Sequence, residues 1–175
     1  MDDKPAEDLK ALAARVLKAA TDKGVMLATA ESCTGGMISA ALSDIPGCSG
    51  ALDRGFITYS NAAKSEMLGV DPETIEAHGA VSPEVAAEMA AGARDRSGAA
   101  LAISVTGVAG PGGTENKPEG RVCFGIADNH GTRTETVDFG PLGRRGMGTG
   151  PSGSRAHNGG HVGRAAGAYR RGFRG

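Results

Sequence analysis

Apolar residues near the start of the chain recur at helical spacing. Within residues 5–22 they fall on one face of a predicted amphipathic helix, at Leu9, Leu12, Ala13, Val16, Leu17 and Ala20. Gly24 follows that face and predicts the end of the helix. Further helical segments are predicted at 37–42, at 61–68 after a Ser60 cap, from Asp71-Pro72 onward, and at 83–97 after a Ser82 cap.

Short apolar runs between these helices predict strands. Residues 25–30 and 99–105 are apolar without alternation, which is typical of strands buried on both faces. Further strands are predicted at 56–59, 121–127 and 132–139, the last two joined by a hairpin turn at 128–131. Strands that alternate with helices predict an α/β fold. We expect a three-layer α/β/α sandwich with a mixed, mostly parallel sheet that ends in an antiparallel hairpin.

The overall composition excludes several classes of protein. A chain of 175 residues is long enough for one domain with a real core, and with 3% aromatic residues and no Trp that core must be aliphatic. No apolar run approaches the roughly 18 residues of a membrane span, and the charged first twenty residues do not resemble a signal peptide. Three widely spaced Cys residues form neither a disulfide framework nor a zinc pattern. The expected compartment is the cytoplasm.

The charge is unevenly distributed along the chain. Residues 1–140 carry a net charge of -8, whereas residues 141–175 carry +7, contain no acidic residue and hold 11 of the 29 Gly residues. Such a segment cannot bury enough apolar surface to offset its ordering entropy. Two interpretations stay open: an Arg/Gly-rich arm that binds nucleic acid, or a tail that is not the evolved end of the fold, such as a frameshift product. We expect irregular structure beyond about residue 145, and no helix to cover the sheet after residue 140.

Two loops follow the strands that are predicted to be buried. Residues 31–36 and 106–113 are rich in small residues, and in α/β sheets ligands collect at the carboxyl ends of strands. Their backbone amides are suited to an anion or a developing oxyanion. Neither loop has a Walker or Rossmann pattern, and Gly-rich turns after strands are also common without any function.

A third segment, residues 59–64, offers a possible base. Ser32 in the first loop needs a base to act as a nucleophile, and none of the four His residues falls in the two loops or in residues 59–64. Lys64, one turn into a predicted helix, becomes a base if burial lowers its pKa; otherwise it is a solvated helix residue. Tyr59, at the predicted end of a strand, either contacts that lysine or leaves its hydroxyl in water.

Four separated segments, taken together, resemble a known family. They are residues 30–36, 55–64, 78–82, and 106–113 with 117–120. In this order they are similar to the CinA carboxy-terminal domain, whose enzymatic members are nicotinamide-nucleotide amidases. The resemblance covers about residues 5–140 in the family's stand-alone form. We therefore treat 1–143 as a CinA-like amidase domain and 144–175 as a Gly/Arg-rich tail.

The resemblance implies a hydrolase that converts nicotinamide mononucleotide to nicotinate mononucleotide and ammonia. It implies Ser32 as the nucleophile, Lys64 as the base and Tyr59 as the hydrogen-bonding partner of Lys64. It implies no metal or organic cofactor, a small nucleotide as the binding partner, no membrane, and a homo-oligomer. Binding of nucleic acid is expected only through the Arg-rich tail. The alternative function is a non-catalytic nucleotide-binding or regulatory module associated with competence or DNA damage.

The remaining candidate residues are assigned to substrate binding. The second loop is expected to hold the phosphate and ribose through Thr106, Gly107, Ala109, Gly110, Gly112 and Gly113. Amides near Thr34, Gly35 and Gly36 are expected to form the oxyanion hole. Glu31 either faces the pyridinium charge or serves as a structural acid at a helix terminus. Cys33, beside Ser32, is the alternative reactive group.

Overall fold

A five-stranded sheet forms the centre of the molecule, with strand order β2-β1-β3-β4-β5. The computed structural model describes residues 8–141. Its strands are β1 (Leu27–Glu31), β2 (Leu52–Ile57), β3 (Leu101–Gly107), β4 (Arg121–Asp128) and β5 (Gly131–Asp138). Its α-helices are α1 (Leu9–Lys23), α2 (Met37–Ser43), α3 (Asn61–Leu68), α4 (Pro72–His78) and α5 (Pro83–Asp95).

The sheet is mixed. Strand β1 pairs in parallel with both β2 and β3, whereas β4 pairs antiparallel with β3 and with β5. Within residues 8–141, β4 alone therefore opposes the direction of the other strands. The mostly parallel sheet that ends in an antiparallel hairpin is confirmed. Because β1 and β3 are parallel neighbours, in register from Leu27↔Leu101 to Glu31↔Val105, the loops that follow them emerge side by side.

Helices cover both faces of the sheet, which confirms the three-layer sandwich. On one face, Val16 and Leu17 of α1 and Ile38 of α2 lie in a cluster with residues of β3 and β4 such as Ile103 and Phe124. On the other face, α3 and α5 pack over small strand residues, and the buried residues of that cluster include Leu68, Met89 and Ala102. None of the described helices is long and apolar enough to cross a membrane.

One predicted strand was misplaced. The strand expected at 56–59 lies at Leu52–Ile57, and Tyr59 falls beyond it in an irregular segment. Strand β2 is at the edge of the sheet and half-exposed, so it carries the polar pair Asp53 and Arg54 instead of an apolar run. The 144–175 tail, the boundary at 143/144 and the expected lack of a closing helix lie outside the described residues.

A close contact between α3 and α5 fixes the position of α3. The Cα of Gly92 on α5 faces the backbone of Leu68, the last residue of α3, and a Cβ at Gly92 would overlap the Leu68 carbonyl. The absence of a side chain at Gly92 therefore sets how near α3 comes to α5.

We expect Gly92→Ala to lower the free energy of unfolding by about 1–2 kcal/mol. Overpacking against backbone costs about 1–3 kcal/mol, which exceeds the gain of about 1 kcal/mol in helix propensity. Urea unfolding measures the change. Gly98→Ala is the control, because a Cβ at Gly98 meets no atom within 4 Å, and it should change stability by less than about 0.5 kcal/mol. A more stable Gly92→Ala would contradict this account of the contact.

Candidate active site

A cleft of about 260 Å³ lies where the carboxyl ends of β1 and β3 meet the start of α3. It is lined by Ser32, Cys33, Tyr59, Asn61, Lys64, Ala80, Val81, Thr106, Gly107, Ala109 and Gly110. The structure thus brings together the first loop, the 59–64 segment and the start of the second loop. Sequence reasoning missed Asn61, Ala80 and Val81 as lining residues, although all three lie within the segments that carry the family resemblance.

A side-chain hydrogen bond in the cleft joins Ser32 and Lys64. Ser32 follows the last residue of β1 directly, and its Oγ lies 3.1 Å from Lys64 Nζ. Both residues are buried, Lys64 at 1% exposure. Of the two interpretations of Lys64, the structure excludes the solvated helix residue.

Two backbone carbonyls orient the Lys64 amine. Nζ donates to Thr58 O at 2.9 Å and to Tyr59 O at 3.4 Å, which leaves its third direction toward Ser32 Oγ. In a neutral amine, two N–H groups can remain on the carbonyls while the lone pair faces the serine hydroxyl. Burial lowers the pKa of Lys64 below its usual value, because removal from water disfavours the ammonium form. The arrangement therefore suits a base, and Thr58 contributes to it through a carbonyl that sequence reasoning did not identify.

The carboxylate of Glu31 has a structural role. It is fully buried and accepts hydrogen bonds from Thr34 Oγ1 at 2.6 Å, the amides of Gly36, Ile38 and Ser39 at 2.8–3.1 Å, and Ser39 Oγ at 2.8 Å. These donors include the first backbone amides of α2, where a negative charge is favoured. The geometry supports the helix-terminus acid instead of a carboxylate facing the pyridinium ring.

The amides expected to form an oxyanion hole are partly occupied. The amide of Gly35 donates to Ser32 O at 3.0 Å, and the amide of Gly36 donates to Glu31. The amides of Cys33 and Thr34 lie close enough to the Cys33 sulfur to favour negative charge there. Of the three amides predicted for the oxyanion hole, that of Thr34 is therefore the one that donates neither to Ser32 O nor to Glu31.

Cys33 is poorly suited to be the reactive group. Burial is the main cause that raises the pKa of its thiol to about 12, so the thiol stays protonated near neutral pH. Its sulfur lies against Gly107, where a Cβ would come within 3.0 Å of it. Ser32, with Lys64 at hydrogen-bonding distance, is the better-placed nucleophile.

The tyrosine at the cleft is 56% exposed. Tyr59 lies beyond the end of β2, and its backbone carbonyl is the group that accepts from Lys64. The contact expected between these two residues is therefore present through the main chain. The exposed ring contributes to the wall of the cleft.

The second loop contributes only its first residues to the cleft. Gly107, Ala109 and Gly110 line it, whereas Gly112 and Gly113 are not among the lining residues. The side chain of Thr106 is buried and donates to Ala80 O at 2.8 Å. Thr106 therefore ties β3 to the segment before α5 and presents no free donor to a ligand.

Comparisons with known proteins agree with the fold and the motifs. A family model described as the CinA C-terminal domain matches residues 9–148. A CinA-like protein of Chlorobium phaeobacteroides is 59% identical over 67% of this chain and 29% of its own length. The nicotinamide-nucleotide amidohydrolase PncC of Enterobacter agglomerans is 50% identical over 75% of this chain and 79% of its own length.

Solved structures show the same architecture. A competence/damage inducible protein, CihA, from Agrobacterium tumefaciens matches with a TM-score of 0.80 and 40% identity, over 93% of this chain and 92% of its own. The chain spans less than a third of the length of the Chlorobium relative.

We expect Glu31→Gln to lower the free energy of unfolding by about 3 kcal/mol. Both carboxylate oxygens accept from backbone amides, so the amide nitrogen of a Gln would face a donor in either orientation. Chemical denaturation measures the loss, and Glu66→Gln on the exposed side of α3 is the control. Equal stability of the two variants would show that the carboxylate does not hold the start of α2.

We expect the stability of the parent relative to Lys64→Met to increase with pH. The folded-state pKa of Lys64 lies below the unfolded value of 10.5, so the cost of burying the ammonium is fully present below the folded pKa. That cost declines as the pH rises from the folded pKa to the unfolded one, by about 1.4 kcal/mol for each unit of difference.

Denaturant unfolding of both proteins between pH 6 and pH 10.5 measures this difference. Lys18→Met is the control, because the Lys18 side chain is 73% exposed and pairs only at the surface with Asp22. A pH-independent difference between the parent and Lys64→Met would mean that the pKa of Lys64 is not lowered.

Proposed function

The chain belongs to the CinA C-terminal domain family, and we propose that it hydrolyses the carboxamide of nicotinamide mononucleotide to give nicotinate mononucleotide and ammonia. The amidohydrolase name of the Enterobacter relative, which is 50% identical over most of its length, supports this activity. We extend the proposal to a homo-oligomer, as the family resemblance implies, and to the cytoplasm, as the cysteine content indicates.

The observation that carries the proposal is the buried Ser32–Lys64 pair. A hydroxyl 3.1 Å from a lysine amine with a lowered pKa is an arrangement for nucleophilic catalysis without histidine. A binding module needs no such pair, and burying an amine against a serine hydroxyl brings it no benefit. The pair therefore favours an enzyme over the regulatory alternative.

The proposed reaction proceeds in two halves. Neutral Lys64 takes the Ser32 hydroxyl proton as Oγ attacks the carboxamide carbon, and the amides of Cys33 and Thr34 stabilise the oxyanion. The C–N bond then breaks, and Lys64 returns the proton to the departing ammonia. Water attacks the resulting ester with Lys64 again as the base, which releases the carboxylate product and restores Ser32. The balance is one amide and one water consumed, and one carboxylic acid and one ammonia formed.

The size of the cleft limits what it encloses. Its volume of about 260 Å³ is slightly below the range of roughly 300–1,000 Å³ typical of pockets that bury a drug-sized ligand. We therefore expect the reacting nicotinamide ring to enter the cleft beside Ser32. The ribose and phosphate then extend past Gly107, Ala109 and Gly110 toward the rest of the second loop.

We expect the parent protein to release ammonia from nicotinamide mononucleotide, and Ser32→Ala and Lys64→Met to lose at least about 10³-fold in kcat/KM, because each removes half of the activated nucleophile. A coupled ammonia assay measures the rates. Cys33→Ala is the matched neighbour of Ser32→Ala and should keep most of the activity.

The pH profile provides a second readout. In the parent, kcat/KM should rise with pH through the lowered pKa of Lys64, since only the neutral amine accepts the proton. Activity retained in Ser32→Ala and lost in Cys33→Ala would identify Cys33, not Ser32, as the nucleophile. Binding of the nucleotide without any ammonia release would favour the non-catalytic module.

A further inference from the structure

The connection between β3 and β4, called the loop below, begins with the second loop and contains an internal carboxylate ligand. Glu119 Oε2 accepts from the backbone amide of Gly112 at 2.7 Å. The same carboxylate fills the space beside Gly110, where an added Cβ would overlap it. Gly110 and Gly112 both have left-handed backbone, with φ of +75° and +82°, a conformation that favours glycine. Pro111 between them has no N–H, so the contact with the carboxylate is made by the Gly112 amide. The Glu119 carboxylate therefore occupies the loop as a bound anion would.

The nearby Lys117 contacts a different part of the chain. Lys117, two residues earlier, directs Nζ to His78 O at 2.6 Å, at the end of α4. Lys117 thus ties the loop to the segment before α5, while Glu119 turns toward Gly110 and Gly112. The carboxylate of Glu119 thus lies beside Gly110, which lines the cleft.

In the binding mode proposed above, the substrate's phosphate extends toward this position. Gly110 lines the cleft that contains Ser32, and we expect a nucleotide whose ring enters there to direct its phosphate along the loop toward Gly112. A phosphate and the Glu119 carboxylate are both negatively charged hydrogen-bond acceptors, so their repulsion opposes sharing of the Gly112 amide.

We propose that Glu119 is a specificity-determining residue that competes with the substrate's phosphate for the Gly112 amide. The proposal rests on the proposed amidase function for the identity of the substrate, and concerns how the nucleotide's phosphate end is bound. Phosphate binding at this amide requires the carboxylate to leave it, so the loop binds the phosphate less tightly than it would without Glu119. The chain consequently discriminates weakly between nicotinamide mononucleotide and its phosphate-free riboside.

Ribose 5-phosphate tests the competition without any amide chemistry. Isothermal titration of this fragment compares the parent with Glu119→Gln and Glu119→Ala. We expect both variants to bind it about threefold or more tightly, the scale of one interaction between partly exposed charges. Glu115→Gln is the matched control: it removes a negative charge from an exposed position in the same loop and should bind like the parent.

The two variants also distinguish competition with the phosphate from a purely structural role of Glu119. Glu119→Ala removes the contact with the Gly112 amide, so a purely structural role predicts weaker binding of ribose 5-phosphate, whereas competition predicts tighter binding. Equal affinity of all four proteins, including the absence of binding by any of them, would overturn the proposal. So would an equal gain in Glu115→Gln, because it would show a general charge effect.

A kinetic comparison extends the test to the full substrate. Glu119→Gln should lower KM for nicotinamide mononucleotide while leaving KM for nicotinamide riboside unchanged. An equal change in both would overturn the proposal. Ammonia release by the parent reports on the amidase function separately, and titration with ribose 5-phosphate does not depend on it.

Discussion

The burial of one carboxylate underlies the geometry of the site. Moving an ionised carboxylate out of water costs several kcal/mol unless hydrogen bonds replace its hydration, and Glu31 obtains them from the first turn of α2 and from nearby hydroxyls. Those bonds fold the chain after β1 into a tight turn, since Gly36 must reach back to the end of the strand. Ser32, the next residue along the chain, is held at the mouth of that turn. The position of the Ser32 hydroxyl thus follows from the hydrogen bonds that backbone amides of this turn donate to the Glu31 carboxylate.

On the opposite side of the site, backbone carbonyls hold the amine of Lys64. Lys64 is one turn into α3, and its amine is held by carbonyls from the segment between β2 and α3. Carbonyls hold an ammonium less strongly than a carboxylate does, so burial lowers the pKa of Lys64. α3 in turn depends on α5, which it contacts through the backbone at Gly92. The charge of the Glu31 carboxylate is well compensated by hydrogen bonds, whereas that of the Lys64 ammonium is compensated only in part. Because the ammonium form is the less stabilised of the two, Lys64 is suited to give up and take back a proton.

The fold was largely readable from the sequence because its signals are local. Caps, buried apolar runs and the hairpin turn predicted the sandwich, and α3 at Asn61–Leu68 was predicted to the residue. Strand β2 was misplaced because an edge strand lacks an apolar run. The burial of Lys64 was left open by the sequence, although Lys64 lies four residues before the buried Leu68 on the same face of α3. The contacts of Gly112 with Glu119 and of Lys117 with His78 could not be predicted from the sequence, because no periodicity encodes how a loop folds onto itself or onto a distant segment.

The choice of serine over the adjacent cysteine follows from the same desolvation that lowers the pKa of the lysine. A dry site disfavours every isolated charge, so it raises the pKa of the Cys33 thiol to about 12 and lowers that of Lys64. The usual advantage of a thiol is its ready conversion to thiolate, and burial removes it. A serine hydroxyl next to a neutral amine needs no prior ionisation, since its proton leaves only as the new bond forms. The environment that weakens cysteine as a nucleophile is therefore the one in which a serine–lysine pair is effective.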